Sequence, residues 1–328
     1  MAKVMVVDNV APEAVQILKR KGHEAKVQAS SLTTSELIAA CAGCQGLIVR
    51  SATKVTAEFI AARPELIVVG RAGVGVDNID IEAASNNGVS VVNAPTGNTI
   101  AAAEHALALM LALARNIPQA MGTLQQGRWE RAKFQGIELA GKTLCILGLG
   151  RVGSAVAVRA QALGMKIIGY DPYLNQKRLD QYVTLLPLSE ALGRADFVSL
   201  HLPLTDETRG FVNRETLSLM KPGVRLINAA RGALIDEDAL AKVLRNGLVA
   251  GAALDVLNKE PCTENPLFEL ENVIVTPHLG ASTVEAQTQV AIEAAEQVAL
   301  ALAGQRPQHC LNWEQIQRSK KEPTLFAI

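Results

Sequence analysis

Short apolar runs alternate with amphipathic ones along most of this chain. Residues 4–7, 47–49, 67–69 and 89–92 are near-continuous apolar stretches. They lack the in–out alternation of a half-solvated strand and fit strands buried on both faces of a parallel sheet. Between them 12–21, 35–41, Ala57–Ala61 and 81–87 read as helices, the last marked by Glu82 near its start and Gly88 at its end. The same rhythm returns later. Strands are expected at Thr143–Leu147, Lys166–Tyr170, Phe197–Leu200, 224–227, 250–254 and Val273–Val275, with a helix at 152–163 and Asp236 as N-cap of another at 237–244. Two segments break the rhythm. Residues 98–115, with AAAEHALALMLALAR at their heart, are apolar nearly all round, which predicts a helix buried between domains or subunits. Residues 283–302 form a long Ala-rich helix that closes the second domain and can return the chain to the first. Residues 116–139 read as a protruding loop in which Trp129 and Phe134 flank Arg131. The polar tail beyond Gly304 reads as a last contact with the first domain plus a frayed end.

The sum is α/β: two doubly wound parallel-sheet domains with a cleft between. A length of 328 residues agrees with two domains. Only 3% of residues are aromatic against 49% hydrophobic, so the cores must rest on Val, Ile, Leu and Ala. Lys and Arg balance Asp and Glu at 32 each, giving no global pull toward nucleic acid or an anionic membrane. No apolar run approaches the roughly 20 residues of a membrane span, and the start MAKVMVVDNV is too short in apolar residues for a secretory signal. A cytoplasmic protein is expected. Cys41 and Cys44 form a C-x-x-C, but it follows a helix instead of opening one, so the dipole opposes a thiolate and an inert role is expected. No second pair completes a zinc site, and no metal is expected.

The most informative stretch is KTLCILGLGRVGSAVAVRAQALGMKIIGYDPY, 142–173. Gly148, Gly150 and Gly153 form G-x-G-x-x-G between a strand and a helix: the first for a tight turn, the second for approach of a pyrophosphate, the third for close helix–strand packing. The helix N-terminus offers free N–H groups to the phosphates. Asp171 lies eighteen residues past Gly153, where an acid accepts hydrogen bonds from the adenosine ribose and repels a 2′-phosphate. NAD is therefore expected over NADP.

Other strand ends carry charge. Arg50 follows LIV, and Arg71 follows VVG with Gly73 and Gly75 just beyond. Two guanidinium groups in one crevice suit a carboxylate or phosphate; two exposed loop arginines are the plainer alternative. In the second domain Arg231 stands in INAARG, Glu260 in LNKEP and His278 in VTPHLGAST. Hydride transfer at a carbonyl needs a cation for the neighbouring carboxylate, which a guanidinium holds with fixed geometry. It also needs a proton donor–acceptor working near neutrality, as imidazole does. A carboxylate on the second ring nitrogen fixes the tautomer, which makes Glu260 the natural partner of His278.

GLGRVG, GYDP, NAARG, AALDV, the pair Glu260–Pro261 and PHLGAST resemble the D-2-hydroxyacid dehydrogenase family, from about Val4 to Gly304. Within it VRSATKVTAEFI, VGRAGVGVDNID, ERAKF and TPHLGAST are similar to members that oxidise D-3-phosphoglycerate at the start of serine biosynthesis. The resemblance implies a flavodoxin-like substrate domain, 1–97 with 290–328, and an inserted Rossmann NAD domain, 98–289. Catalytic roles are implied for Arg231, Glu260 and His278. Cofactor contacts are implied for Gly148, Gly150, Arg151, Val152, Gly153, Asp171, Pro172, His201, Ala230, Asp255 and Gly280. Substrate contacts would come from Arg50, Arg71, Gly73, Val74 and Asn98, with Arg131 reaching across a homodimer or a dimer of dimers. Val74 and Leu202 depart from the threonine that close relatives often place there. Longer relatives carry a regulatory domain after the last helix, and the short stretch beyond Gly304 leads to the expectation that feedback through such a domain is absent. A reductase of glyoxylate, hydroxypyruvate or another D-2-hydroxy acid is the alternative enzyme. An NAD-sensing, corepressor-like scaffold is the alternative from another class.

Overall fold

The computed structural model describes residues 1–174 and 182–321. The chain divides into two compact units, Met1–Asn98 with Ala281–Ile328, and Thr99–Gly280. The first unit begins with β1 (Lys3–Val6), α1 (Glu13–Arg20), β2 (Glu24–Val27), α2 (Thr34–Ala40), β3 (Gly46–Val49), α3 (Ala57–Ala61), β4 (Val68–Arg71), α4 (Ile81–Asn86) and β5 (Ser90–Asn93). The five strands are parallel in the order β2-β1-β3-β4-β5. Side chains of Thr33, Thr56 and Asp80 accept amides at the starts of α2, α3 and α4, three local signals that set where those helices begin. The apolar runs are explained by two cores. Met5, Leu47, Val49, Val69 and Val91 pack with Leu37, Phe59 and Ile60 on one face; Val4, Val6, Ile48, Val68 and Val92 pack on the other. Both faces exclude water, so alternation has nothing to act on. β2 has no such signature: it is an edge strand, EAKV, half in solvent, and its sequence reads as loop.

The second unit holds α5 (Thr99–Ala114), α6 (Ile117–Gln125), β6 (Thr143–Leu147), α7 (Arg151–Ala162), β7 (Lys166–Tyr170), β8 (Val183–Leu185), α8 (Leu188–Arg194), β9 (Phe197–Leu200), α9 (Arg214–Ser218), β10 (Val224–Asn228), α10 (Glu237–Arg245), β11 (Val249–Leu254) and β12 (Val273–Val275). Its seven-stranded parallel sheet runs β12-β11-β10-β9-β6-β7-β8. β6 has β7 on one side and β9 on the other, so the strand order reverses there; open α/β sheets bind ligands at such a point. Asp236 caps α10, accepting the Ala239 amide at 3.0 Å.

The all-round apolar pattern of α5 serves two faces: Ala103, Ala106, Leu107, Met110 and Leu113 are buried in the unit's own core, against α7 and the sheet, while Ile100 and Leu111 stay 51% and 40% exposed. One expectation needs correction here. The segment 116–139, which reads as a loop, contains α6. Pro118 stands in the first turn of that helix, where no amide is needed.

The chain returns to the first unit through α11 (Val284–Leu302) and ends its described part with α12 (Trp313–Lys321). α11 lies over β3, β4 and β5. Gly70 makes room for it, since a Cβ there would stand 2.5 Å from Val298 Cγ2. The second crossing falls at Gly280/Ala281 and not at 289/290. Thr283 caps α11 by accepting the Ala286 amide, and a capped helix packs as one body instead of dividing in its second turn. Asn312 anchors the tail by hydrogen bonds with Val89 and Val91; the frayed end expected after it lies outside the described residues. Among the described residues no single helix is long and apolar enough to cross a membrane.

Candidate active site

The glycine loop after β6 is built as its spacing predicts. Gly148 has φ +90°, and a Cβ on it would stand 2.8 Å from the His201 carbonyl oxygen. A Cβ on Gly153 would fall 2.0 Å from the Gly148 oxygen, so only glycine lets α7 start this close to the turn. At Gly150 a Cβ would meet nothing within 4 Å. That open side of the backbone, at a helix start with no side-chain cap, is the cradle a pyrophosphate would fill. Asp171 stands beside it at the end of β7: its Oδ2 accepts the Leu149 amide and its Oδ1 the Tyr173 amide, each at 3.0 Å. These bonds aim the carboxylate back at the glycine turn, where a ribose would follow the phosphates. Arg151 and Pro172 are exposed and Val152 is half-buried at the same edge. His201 follows β9 and bonds Ser199 Oγ at 2.8 Å; burial pushes its imidazole down to about 4, so it is neutral at pH 7. The residues present fit a dinucleotide.

Arg231, Asp255, Glu260 and His278 follow β10, β11 and β12, three adjacent strands, at the same carboxyl edge. Asn228 shapes the first loop, donating to the Arg231 carbonyl at 2.8 Å and accepting the Ala230 amide at 3.0 Å. Arg231 Nη1 in turn donates to the Ala230 carbonyl at 2.8 Å. Gly232 presses that loop onto the next one, since its Cβ would stand 2.0 Å from the Leu257 carbonyl. Leu257 donates its amide to Glu260 Oε1 at 2.9 Å, and His278 Nδ1 lies 2.6 Å from Glu260 Oε2. Partial burial works to raise the Glu260 carboxyl, but the hydrogen bonds from His278 and the Leu257 amide hold it below the usual range. An ionised Glu260 accepts, so Nδ1 carries a proton and Nε2 is left to exchange one. His278 is a non-glycine residue at φ +55°. Its amide donates to the Asp255 and Thr276 carbonyls at 2.9 and 3.0 Å, which holds it in that uncommon conformation. Asp255, expected from the family pattern to contact the cofactor, is 1% exposed and turns its carboxylate onto the chain around His278. Its buried carboxylate takes the Leu279 and Gly280 amides, each at 2.7 Å.

In the first unit Arg50 and Arg71 stand at the carboxyl ends of β3 and β4. Asp8, 6% exposed, accepts the Arg50 and Thr53 amides through Oδ2 at 2.9 and 3.0 Å. Asn78 donates to the Arg50 and Thr53 carbonyls at 2.8 and 2.7 Å. Gly73 is required by its neighbour: a Cβ would overlap the Arg71 guanidinium, 1.5 Å from Nη1. Asn93 donates to the Val74 carbonyl at 2.7 Å and fixes that loop, leaving the Val74 side chain exposed. Asn98, the last residue of the segment, has an Oδ1 atom buried without a hydrogen-bond partner among the described residues. Asp8, Asn78, Asn93 and Asn228 hold these loops; Asn78 and Asn228 lie inside the motifs VGRAGVGVDNID and NAARG without standing out there, and Asp8 and Asn93 lie in none.

Arg131 is not brought to the strand-end edge of its own chain. It opens a short 3-10 turn, Arg131–Phe134, and is exposed. Within that turn Lys133 pairs with Glu271 at 3.4 Å, by the amino end of β12 and not the carboxyl end that carries His278. The C-x-x-C pair is inert as expected: both thiols are fully buried, and burial with the neighbouring Cys44 thiol pushes Cys41 up to about 12.

A glycine turn at the switch point, with an arginine after β10 and a carboxylate-held histidine after β12, is the frame of a dinucleotide-binding α/β domain. The chain belongs to the D-isomer specific 2-hydroxyacid dehydrogenase family, whose NAD-binding-domain model matches residues 107–280. It is 50% identical over 304 residues to the D-3-phosphoglycerate dehydrogenase of Mycobacterium bovis, a match covering 92% of this chain and 57% of that one. It is 48% identical over 322 residues to the D-3-phosphoglycerate dehydrogenase of Methanocaldococcus jannaschii, covering 98% of this chain and 61% of that one. The chain thus spans less than two thirds of the length of these relatives. Among solved structures it is similar to the TT0316 protein of Thermus thermophilus, with a TM-score of 0.86 and 36% identity over 94% of this chain and 99% of that one.

Proposed function

We propose that the chain carries the NAD-dependent oxidation of D-3-phosphoglycerate to 3-phosphohydroxypyruvate. The observation that carries the reading is the 2.6 Å bond between His278 and Glu260, on the strand ends that flank the nucleotide crevice. Bound NAD would supply the hydride acceptor, held by the Gly148–Gly153 turn and Asp171. Neutral His278 takes the hydroxyl proton at Nε2, while Glu260 fixes the other nitrogen and stabilises the imidazolium formed. Arg231 holds the substrate carboxylate with a forked, always charged group. In the reverse direction the imidazolium returns the proton. Arg50, Arg71 and Asn98 are read as substrate contacts, the arginines serving the phosphate.

The test is a panel of 2-hydroxy and 2-keto acids, with and without a 3-phosphate, followed by NADH absorbance. Oxidation of D-3-phosphoglycerate is expected, with Arg50→Ala and Arg71→Ala impairing the phosphorylated acid more than its unphosphorylated analogue. Equal impairment of both sinks the phosphate assignment; turnover only of glyoxylate or hydroxypyruvate sinks the substrate.

The partner we propose is a second copy of this chain. Ile117, Met121 and Leu124 on α6 are 54–58% exposed and Trp129 beyond them is 83% exposed, an apolar surface of the kind an interface covers. A second copy is also what Arg131 requires, since its own chain places it by the other edge of the sheet. Sedimentation of a Leu124→Asp variant tests this, with loss of the dimer expected.

A further inference from the structure

We propose that His105 is a positioning residue for the acid–base histidine, acting through Asp255; the inference rests on the reading of His278 given above. His105 is set in α5, a helix otherwise made almost wholly of Ala, Leu and other apolar residues. Its Nε2 lies 2.9 Å from Asp255 Oδ1 and 3.3 Å from Thr276 Oγ1. Asp255 is 1% exposed and has no access to solvent to satisfy it. Its Oδ1 also accepts the Thr276 hydroxyl at 2.6 Å and the Leu279 amide at 2.7 Å, and its Oδ2 accepts the Gly280 amide at 2.7 Å. Its main-chain carbonyl accepts the His278 amide at 2.9 Å. The buried carboxylate after β11 therefore grips the chain before and after His278, and the Asp255 main chain holds His278 itself.

Every partner of that carboxylate is a donor. A protonated Asp255 would point its own hydrogen at one of them, so the grip works only while the group is ionised. Burial works against ionisation; the His105 and Thr276 side chains and the Leu279 amide restore it and hold the carboxyl below the usual range. His105 is the one of these partners able to carry charge, and Glu260 is the other titratable group that feels the Asp255 charge. Because Asp255 can only accept, Nε2 of His105 is protonated whether or not the ring is charged. His278 depends on this grip more than a residue in a regular strand would, because its φ of +55° is held by the loop alone. A shift of about 1 Å in a reacting group costs on the order of 10²-fold in rate.

The experiment measures kcat, KM, the pH profile and melting temperature for His105→Ala, His105→Asn and His105→Gln, beside His278→Ala, with D-3-phosphoglycerate and NAD. Gln places an amide nitrogen near the position of Nε2; Asn is polar but too short to reach Asp255 and serves where the Ala variant does not fold. We expect kcat to fall about 10- to 100-fold in the Ala and Asn variants, with KM changed less. In the reverse reaction, 3-phosphohydroxypyruvate with NADH, protonated His278 is the active form, and there the acid limb of kcat should move to higher pH, since Asp255 protonates more readily without its donor. The Gln variant should recover most of the rate and the acid limb. If Asn and Gln behave alike, or the Ala variant keeps wild-type kcat and acid limb while His278→Ala is inactive, the role of His105 is overturned. If His278→Ala itself stays fully active, the reading of the site fails instead.

Discussion

The two units solve the same geometric problem, the turn from a buried parallel strand into a helix, in opposite ways. In the first unit β1 leads through Asp8 and Asn9, at φ +62° and +52°, into α1. The Asp8 carboxylate fills the crevice, taking the Arg50 and Thr53 amides and, at 2.5 Å, the Thr53 hydroxyl. In the second unit β6 leads through Gly148 and Gly150 into α7, and the side of the backbone at Gly150 is left open. A strand-end crevice whose amides are satisfied by a buried side chain is a scaffold; one with open backbone is a receptor for an anion. The same architecture holds a platform for two arginines in one unit and a nucleotide site in the other.

The largest expected effect tests the active edge of the second unit. His278→Ala should lower turnover by about 10²–10⁴-fold, the usual cost of losing a placed acid–base group, with NAD affinity little changed by titration calorimetry. Next comes the scaffold turn. Asp8→Ala leaves two backbone donors and a hydroxyl unsatisfied, each worth about 1–3 kcal/mol when buried. Chemical denaturation should show a less stable first unit while NAD binding persists; a variant of unchanged stability would undo the contrast drawn between the two turns. Gly150→Ala should do the reverse. Its methyl meets no protein atom within 4 Å, so melting should move little while NAD affinity falls. Tight NAD binding by that variant would show that the open backbone is not the phosphate cradle. Asp171→Ala should weaken NAD and relax the rejection of NADP, read as the ratio of the two dissociation constants.

The smallest effect is in the pH dependence of stability. The native His201 imidazole titrates near 4 instead of its ordinary 6.5. Between those values the unfolded chain binds a proton that the native one does not, so stability falls as pH drops through this window and is retained above it. His201→Gln should remove that part of the slope, and the wild-type His201 ring should show no titration by NMR between pH 5 and 8.

Much of the candidate site was legible because the chemistry proposed for it is tied to residue type. Glycines at 148, 150 and 153 with an acid after the next strand leave little freedom, and arginine, glutamate and histidine each follow a recognisable apolar strand. The elements that escaped did so for local reasons. β2 is a polar edge strand, α6 has a proline in its first turn, and α5 shows no polar side because the face turned from its own core still carries Ile100 and Leu111. The family pattern singles out Arg131, yet nothing in a linear string says which edge of a sheet a turn will occupy.

By itself the sequence determined which strands are buried on both faces, where the dinucleotide turn lies and which three side chains end strands β10 to β12 or the loops beyond them. Periodicity and backbone sterics act over a few residues, and the string displays them directly. Only the tertiary structure decided that Asp8, more than forty residues from Thr53, closes one crevice, and that Asp255 and His105, 150 residues apart, hold the loop of His278. A buried carboxylate is stable only where several donors converge on it, and convergence is a property of the packed chain, not of any segment of it.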